Sequence, residues 1–125
     1  MLSKLHFELV QDWILLLKKF GDEWQSQNQQ AYHLSEEWQK IQQFLQKKIL
    51  PLSFDDLDSE NQRLWQSWQT ETHRYLRLLH TDLLFFATAK QPQTKSMKAS
   101  TITQHWQGTL QLSINLLSTV KGAFK

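Results

Sequence analysis

The chain contains five histidines, and imidazole is the side chain best suited to metal binding and to proton transfer near neutral pH. They are His6, His33, His73, His80 and His105. His73 and His80 lie seven residues apart, which is two turns along one side of a helix. A helical metal site usually adds a carboxylate or a second histidine three or four residues away, and neither histidine has one. We therefore predict no metal site and no cofactor, with an enzymatic or metal-sensing domain around His73 and His80 as the alternative.

No other group of residues has the spacing of a catalytic motif. The chain has no cysteine, which excludes a Cys nucleophile, a thiolate metal site and a disulfide framework. Its three glycines are far apart, so none belongs to a phosphate-binding loop. Neither a nucleophile elbow nor a His-Glu-x-x-His motif occurs. The sequence therefore predicts a protein that is not an enzyme.

The longest early apolar run covers only residues 13–17 and follows Asp12. A signal peptide or a bilayer-spanning helix requires a much longer run. The absence of cysteine also suits a reducing compartment. We expect a cytoplasmic protein that does not insert into a membrane.

Apolar residues recur at three- and four-residue steps along most of the chain, which is the pattern of amphipathic helices. Four such segments occur, and none alternates with the two-residue period of a strand. Short links between amphipathic helices favour a bundle. The predicted fold is an all-α antiparallel four-helix bundle in which two shorter N-terminal helices pack on two long C-terminal helices. Residues 1–125 form a single domain in this prediction.

Caps and helix breakers set the bounds of the first two helices. The first apolar face covers residues 2–24, and Gly21 inside it is expected to end or bend the helix. The second helix is expected to begin after Ser35, whose hydroxyl can accept a hydrogen bond from the first turn. It should stop before Pro51, because proline biases Leu50 away from the α region.

The third and fourth helices are the long ones. Ser59 and Gln62 have the spacing of a capping box, and an apolar face about 30 residues long runs from there to Lys90 without a breaker. Residues 91–95, which include Pro92, are predicted to form a tight connection. The fourth helix follows this connection. Its predicted core-facing residues are Ala99, Ile102, Trp106, Leu110, Ser113, Leu117, Val120 and Phe124.

Two apolar runs exceed what a bundle helix needs to bury. They cover residues 13–17 and 83–86 and reach most of the way round their helices. Either neighbouring helices cover them or they leave an exposed patch, which usually marks an interface. A homodimer is a further way to cover them.

The polar side of the second helix, from Lys40 to Lys48, is rich in glutamine and lysine and is the best nucleic-acid candidate. The tryptophans, however, have core spacing rather than the arrangement of a stacking platform along a basic groove. The formal net charge is only +2. A nucleic-acid-binding helical regulator is therefore kept as the alternative to a protein-binding one.

One stretch resembles a known family. Residues 68–92 read WQTETHRYLRLLHTDLLFFATAKQP, and KKILPL precedes them at residues 47–52. Together they resemble the cyanobacterial heterocyst-frequency control family PatD, with its pattern T-E-x-H-[RK]-x-L-R-L-L-x-x-D-x-x-F followed by a small-residue turn and Q-P. Lys90 stands where the family pattern has Arg, and the specific pattern covers only about 30 residues of the chain. The matching residues are Thr70, Glu71, His73, Arg74, Leu76, Arg77, Leu78, Leu79, Asp82 and Phe85.

The resemblance implies a non-enzymatic cytoplasmic regulator of cell differentiation in filamentous cyanobacteria. It also implies a partner, the tubulin-like cell-division protein FtsZ, whose assembly the family modulates and thereby tunes heterocyst frequency. It brings no set of binding residues with it.

The residues themselves indicate a contact surface on the third helix. Arginine is enriched in the energetically dominant positions of protein interfaces. We predict that His73, Arg74 and Arg77 form a protein-binding surface. Lys95 and Lys98 should lie near them if the last helix folds back.

Overall fold

The computed structural model describes residues 4–25, 35–55 and 57–123, with residues 120–123 described by their backbone alone. These ranges form four helices, α1 (Lys4–Gln25), α2 (Glu36–Phe44), α3 (Ser59–Thr88) and α4 (Pro92–Ala123), and contain no strand. The prediction of an all-α bundle with two shorter helices before two longer ones is confirmed. None of the described helices combines the length and hydrophobicity needed to cross a bilayer.

The helix contacts show which helices are neighbours and that α3 and α4 run in opposite directions. α1 packs against α2 and α4, and α3 packs along α4. The Trp68 indole on α3 donates a hydrogen bond to Ser113 on α4. Asp82 comes after Trp68 on α3, but its partner His105 comes before Ser113 on α4. The contacts thus run in opposite directions along the two helices, as expected for antiparallel neighbours.

Tryptophan rings fill the core at the predicted helical spacing. Each presents a large apolar surface, and burying it is a main source of stability for a chain of this size. The Trp65 and Trp68 rings contact each other with centroids 4.9 Å apart. The buried tryptophans are Trp13, Trp24, Trp38, Trp65 and Trp68.

The buried face of α4 differs from the prediction. Thr109 and Leu116 are fully or almost fully buried, whereas Leu110 and Leu117 are only half-buried. Small side chains on α4 make room for large ones on α3, since the Trp68 indole donates to buried Ser113 at 3.1 Å. Ser113 was predicted to face the core, whereas Thr109 and Leu116 were not, so the buried face is rotated from Leu110 and Leu117 toward Thr109 and Leu116. The predicted residues after Leu117 have side chains outside the described residues.

The start of α2 follows the prediction, but its end does not. Ser35 is the N-cap, and its hydroxyl accepts a hydrogen bond from the Trp38 amide at 3.1 Å. The helix stops before Pro51, yet Leu50 keeps α-helical angles (φ −65°, ψ −38°), so its predicted displacement from the α region was wrong. Its amide donates five residues back to the Leu45 carbonyl at 2.9 Å, which makes the last turn π-helical.

The cap of α3 is one residue earlier than predicted. Asp58, not Ser59, accepts a hydrogen bond from the Asn61 amide, at 2.9 Å. That backbone hydrogen bond favours the carboxylate and holds the pKa of Asp58 below its ordinary value. Gln62 does not complete a capping box with Ser59, because its side-chain amide donates to the Leu57 carbonyl at 2.8 Å.

Two helix breakers have other roles than those predicted. Gly21 does not end α1, which continues to Gln25. A Cβ atom at Gly21 would overlap the ring of Trp106, whose indole donates to the Leu17 carbonyl at 2.7 Å, so the glycine permits a close approach of α1 and α4. Pro92 is the first residue of α4 rather than part of a loop, because proline lacks the N–H that a first turn leaves unpaired.

Candidate functional site

The five predicted contact residues do not form one surface, because three belong to α3 and two to α4. His73 and Arg77 border the space between α3 and α2. Arg74 is exposed and pairs with Glu71. α4 does fold back on α3, but it places Lys95 over the ring of Phe86 and Lys98 over that of Phe85. These rings are near the C-terminal end of α3, whereas His73 is near its middle. The structure therefore brings His73 and Arg77 together and separates them from the two lysines.

The first of three candidate surfaces is an open groove between α2 and α3, called here the α2–α3 groove. It has a volume of about 300 Å³. Both histidines singled out from their spacing line it, together with Arg77. The full lining is Gln42, Leu45, Gln46, His73, Leu76, Arg77, His80 and Thr81.

His80 is the most constrained side chain of the α2–α3 groove. The Trp38 indole N–H donates to its Nδ1 atom at 3.2 Å, and the Gln42 side-chain nitrogen lies 3.2 Å from the same atom. An indole can only donate, so Nδ1 must be the acceptor and the ring proton of neutral His80 is on Nε2. The groove thus contains an imidazole of defined tautomer.

On the opposite side of α3, Asp82 forms a closed polar cluster with α4. Its Oδ2 atom lies 2.6 Å from Nδ1 of His105, and its Oδ1 atom lies 4.0 Å from Nζ of Lys98. Sequence analysis missed this pair, because His105 is 23 residues away and the only local signal is an acid on an apolar face. No hydroxyl in the described ranges hydrogen-bonds the His105 ring, and the pair links α3 to α4.

The described residues contain no group of three His, Cys, Asp or Glu side chains that could hold a metal ion. His73 and His80 both line the α2–α3 groove, but its lining includes no carboxylate that could act as a third ligand.

The second candidate surface is the outward face of α3, called here the outer strip. Of the run 83–86, Leu83 and Phe86 are buried, whereas Leu84 is 41% and Phe85 55% exposed. Leu78, 37% exposed, continues the patch toward the N-terminal end of α3. Neighbouring helices therefore cover only half of this run. The outer strip consists of Arg74, Arg77, Leu78, Thr81, Leu84 and Phe85.

The other apolar run, residues 13–17, is covered more completely. Trp13, Ile14 and Leu17 are buried and Leu16 is half-buried, which leaves only Leu15, 65% exposed. A single exposed leucine on a helix is ordinary for a folded protein. This run therefore provides no comparable patch.

The third candidate surface is the lysine-rich side of α2. Lys40 lies 3.5 Å from the buried carboxylate of Glu37, which Lys19 also approaches at 3.4 Å. Lys47 and Lys48 border a shallow groove of about 270 Å³. Its remaining lining is Leu16, Lys40, Gln43 and Phe44. Part of this positive charge is thus neutralised within the protein.

Comparison of the chain with known protein families, with curated proteins and with solved structures finds no match. The function has to be inferred from the surfaces of the molecule, of which the outer strip and the α2–α3 groove are the most distinctive.

Proposed function

We propose that this protein is a non-enzymatic regulator that binds another protein through the outer strip of α3. The observation that supports it is the exposure of Leu78, Leu84 and Phe85 on a helix that otherwise buries its large apolar side chains. Apolar surface left in water is a source of binding free energy when a partner covers it. Clusters of this kind, bordered by polar residues, usually mark interaction sites.

The charge around the outer strip indicates the chemistry of the partner. Lys98 lies 5.2 Å above the ring of Phe85, and Arg77 makes no ion pair within the described residues. Arg74 donates to Glu71 at 2.9 Å, and this hydrogen bond raises the pKa of Arg74 above its ordinary value. The apolar strip therefore has a positively charged border, which suits a partner surface with apolar and acidic residues.

The resemblance of residues 68–92 to the PatD family supports FtsZ as that partner. Four of the six residues of the outer strip, Arg74, Arg77, Leu78 and Phe85, are also positions that match the family pattern. In this proposal the protein acts in the cytoplasm of a filamentous cyanobacterium, where it modulates FtsZ assembly and so tunes heterocyst frequency.

The proposal is tested by co-sedimentation with FtsZ filaments and by light scattering during FtsZ assembly. The double variant Leu84→Ser/Phe85→Ser should weaken co-sedimentation by about tenfold or more, as expected for loss of two central apolar contacts. Leu15→Ser is the control, because Leu15 is a large apolar side chain on α1 that is more exposed than either Leu84 or Phe85.

Three outcomes would contradict the proposal. The wild-type protein could leave both signals unchanged at excess concentration. The Leu15→Ser control could lose as much binding as the double variant. Sedimentation velocity of the protein alone could show a homodimer that the double variant dissociates, in which case a second copy rather than FtsZ covers the outer strip.

Nucleic-acid binding through the Lys40–Lys48 face is the second candidate. It is favoured by Lys47 and Lys48, which lie exposed beside the ring of Phe44. Binding to duplex DNA should then fall steeply with salt, because bound lysines release counterions. Lys47→Gln/Lys48→Gln should reduce both the affinity and the salt dependence in a gel-shift titration. No shift of the wild-type protein at low salt would end this alternative.

A further inference from the structure

The lining of the α2–α3 groove has the composition of an anion-binding site. It provides six polar side chains, Gln42, Gln46, His73, Arg77, His80 and Thr81, and no carboxylate. Every charged or titratable group in it is therefore either positive or neutral. An oxyanion would meet hydrogen-bond donors there without like-charge repulsion.

His80 is held ready as a donor. Its Nδ1 atom is occupied by the indole N–H of Trp38, so the neutral ring carries its proton on Nε2. Trp38 is fully buried, which fixes the position of the indole and through it the ring of His80. The groove thus has one preoriented N–H group, and binding a ligand costs little additional entropy for fixing the His80 ring.

Arg77 supplies the fixed positive charge. It is exposed, and within the described residues its guanidinium has neither an ion pair nor a hydrogen bond. The planar fork of N–H donors matches two oxygens of a phosphate or carboxylate. His73, one turn before Arg77, also has no hydrogen-bond partner among the described residues. Both donors are free to bind a ligand.

The floor of the groove is apolar. Leu45 is 2% and Leu76 is 4% exposed, and both line it beneath the polar side chains. Its volume of about 300 Å³ exceeds the need of a bare phosphate and lies at the lower end for small-molecule sites. We propose that the α2–α3 groove binds a small organic phosphate, with the phosphate on Arg77 and His80 and the carbon skeleton on Leu45 and Leu76.

Phenyl phosphate is a suitable probe, because it combines a phosphate with an apolar ring of the right size. The indole N–H of Trp38 is the reporter in a two-dimensional ¹H–¹⁵N NMR titration, since it donates to the ring that would hold the phosphate. We expect a saturable shift of this signal. Arg77→Gln should raise the dissociation constant by about tenfold or more, as for loss of a charged hydrogen bond.

Arg74→Gln is the matched control. Arg74 lies three residues from Arg77 on the same helix but outside the groove lining, and it pairs with Glu71. This variant should bind phenyl phosphate within about twofold of the wild-type protein, since Arg74 does not line the groove and its exposed pair with Glu71 contributes little. Inorganic phosphate should bind more weakly than phenyl phosphate, because it leaves the leucine floor uncovered.

The proposal is wrong if the Trp38 signal shows no saturable shift up to about 10 mM phenyl phosphate, where binding is already very weak. It is also wrong if Arg74→Gln loses as much affinity as Arg77→Gln, or if inorganic phosphate binds as well as phenyl phosphate. The titration contains no protein partner, and the FtsZ test changes only Leu84 and Phe85. Failure of one proposal therefore leaves the other intact.

Discussion

The two sides of α3 contain similar polar residues in opposite states. Toward α4, Asp82 is paired with His105 at 2.6 Å and lies near Lys98. Toward α2, His73 and Arg77 have no partner within the described residues. α2 and its last turn do run beside this part of α3, but the side chains that they contribute to the groove are Gln42, Leu45 and Gln46, none of which is a carboxylate. A histidine or a charged residue on a bundle helix is thus structural or available according to the side chains that the neighbouring helix places opposite it.

The largest effect on stability is expected on the side of α3 that faces α4. Trp68 is 4% exposed, and its indole donates to buried Ser113 of α4. Trp68→Ala should lower the free energy of unfolding by about 3–5 kcal/mol, through lost burial and an open cavity. Urea unfolding followed by circular dichroism measures it. A loss below about 1 kcal/mol would show that α3 and α4 are not held by this contact.

A smaller effect is expected at the Asp82 cluster. Asp82→Ala removes the acceptor of His105 in a mostly buried place and should cost about 1.5–3 kcal/mol. Glu71→Ala is the control on the same helix, because the exposed Glu71–Arg74 pair is screened by water and should contribute much less to the free energy of unfolding. Equal losses in the two variants would remove the distinction between a buried and an exposed pair.

The smallest effect on stability is expected on the side of α3 that faces α2. Arg77→Ala removes an exposed side chain that has no ion pair or hydrogen bond to any other part of the chain that the structure describes. The free energy of unfolding of this variant should stay within about 0.5 kcal/mol of the wild-type value. The same variant should weaken binding to the protein partner. A collapse of the thermal melt would show that Arg77 is structural and would contradict its assignment to both the outer strip and the α2–α3 groove.

Much of the helical layout could be predicted from local patterns. The predicted third helix ended at Lys90, two residues beyond the observed Thr88, and the Ser35 cap was correct. Where prediction failed, a local rule met a tertiary contact or a competing local acceptor. Gly21 was interpreted as a breaker, although it lies where α1 meets Trp106, and Ser59 lost the capping position to Asp58.

The candidate surfaces were only partly predictable. Spacing correctly placed His73 and His80 on one side of α3. The surplus of apolar residues in 83–86 left burial and an exposed patch as alternatives, and the structure shows that half of the run is exposed. The sequence pattern could not show that Leu84 and Phe85 are the exposed half. Nor could it show that Trp38 fixes the ring of His80, because those two residues are 42 positions apart.

The amino-acid sequence by itself determined that the chain folds into helices and which stripe of each helix is apolar, because a period of 3.6 residues is a local property. The tertiary structure alone decided how far each helix is rotated and shifted against its neighbours. That rotation and shift determine whether Asp82 finds His105, whether Arg77 stays unpaired and whether Phe85 reaches water. These outcomes depend on the close packing of large side chains between helices, because the position of each side chain is set by the side chains around it.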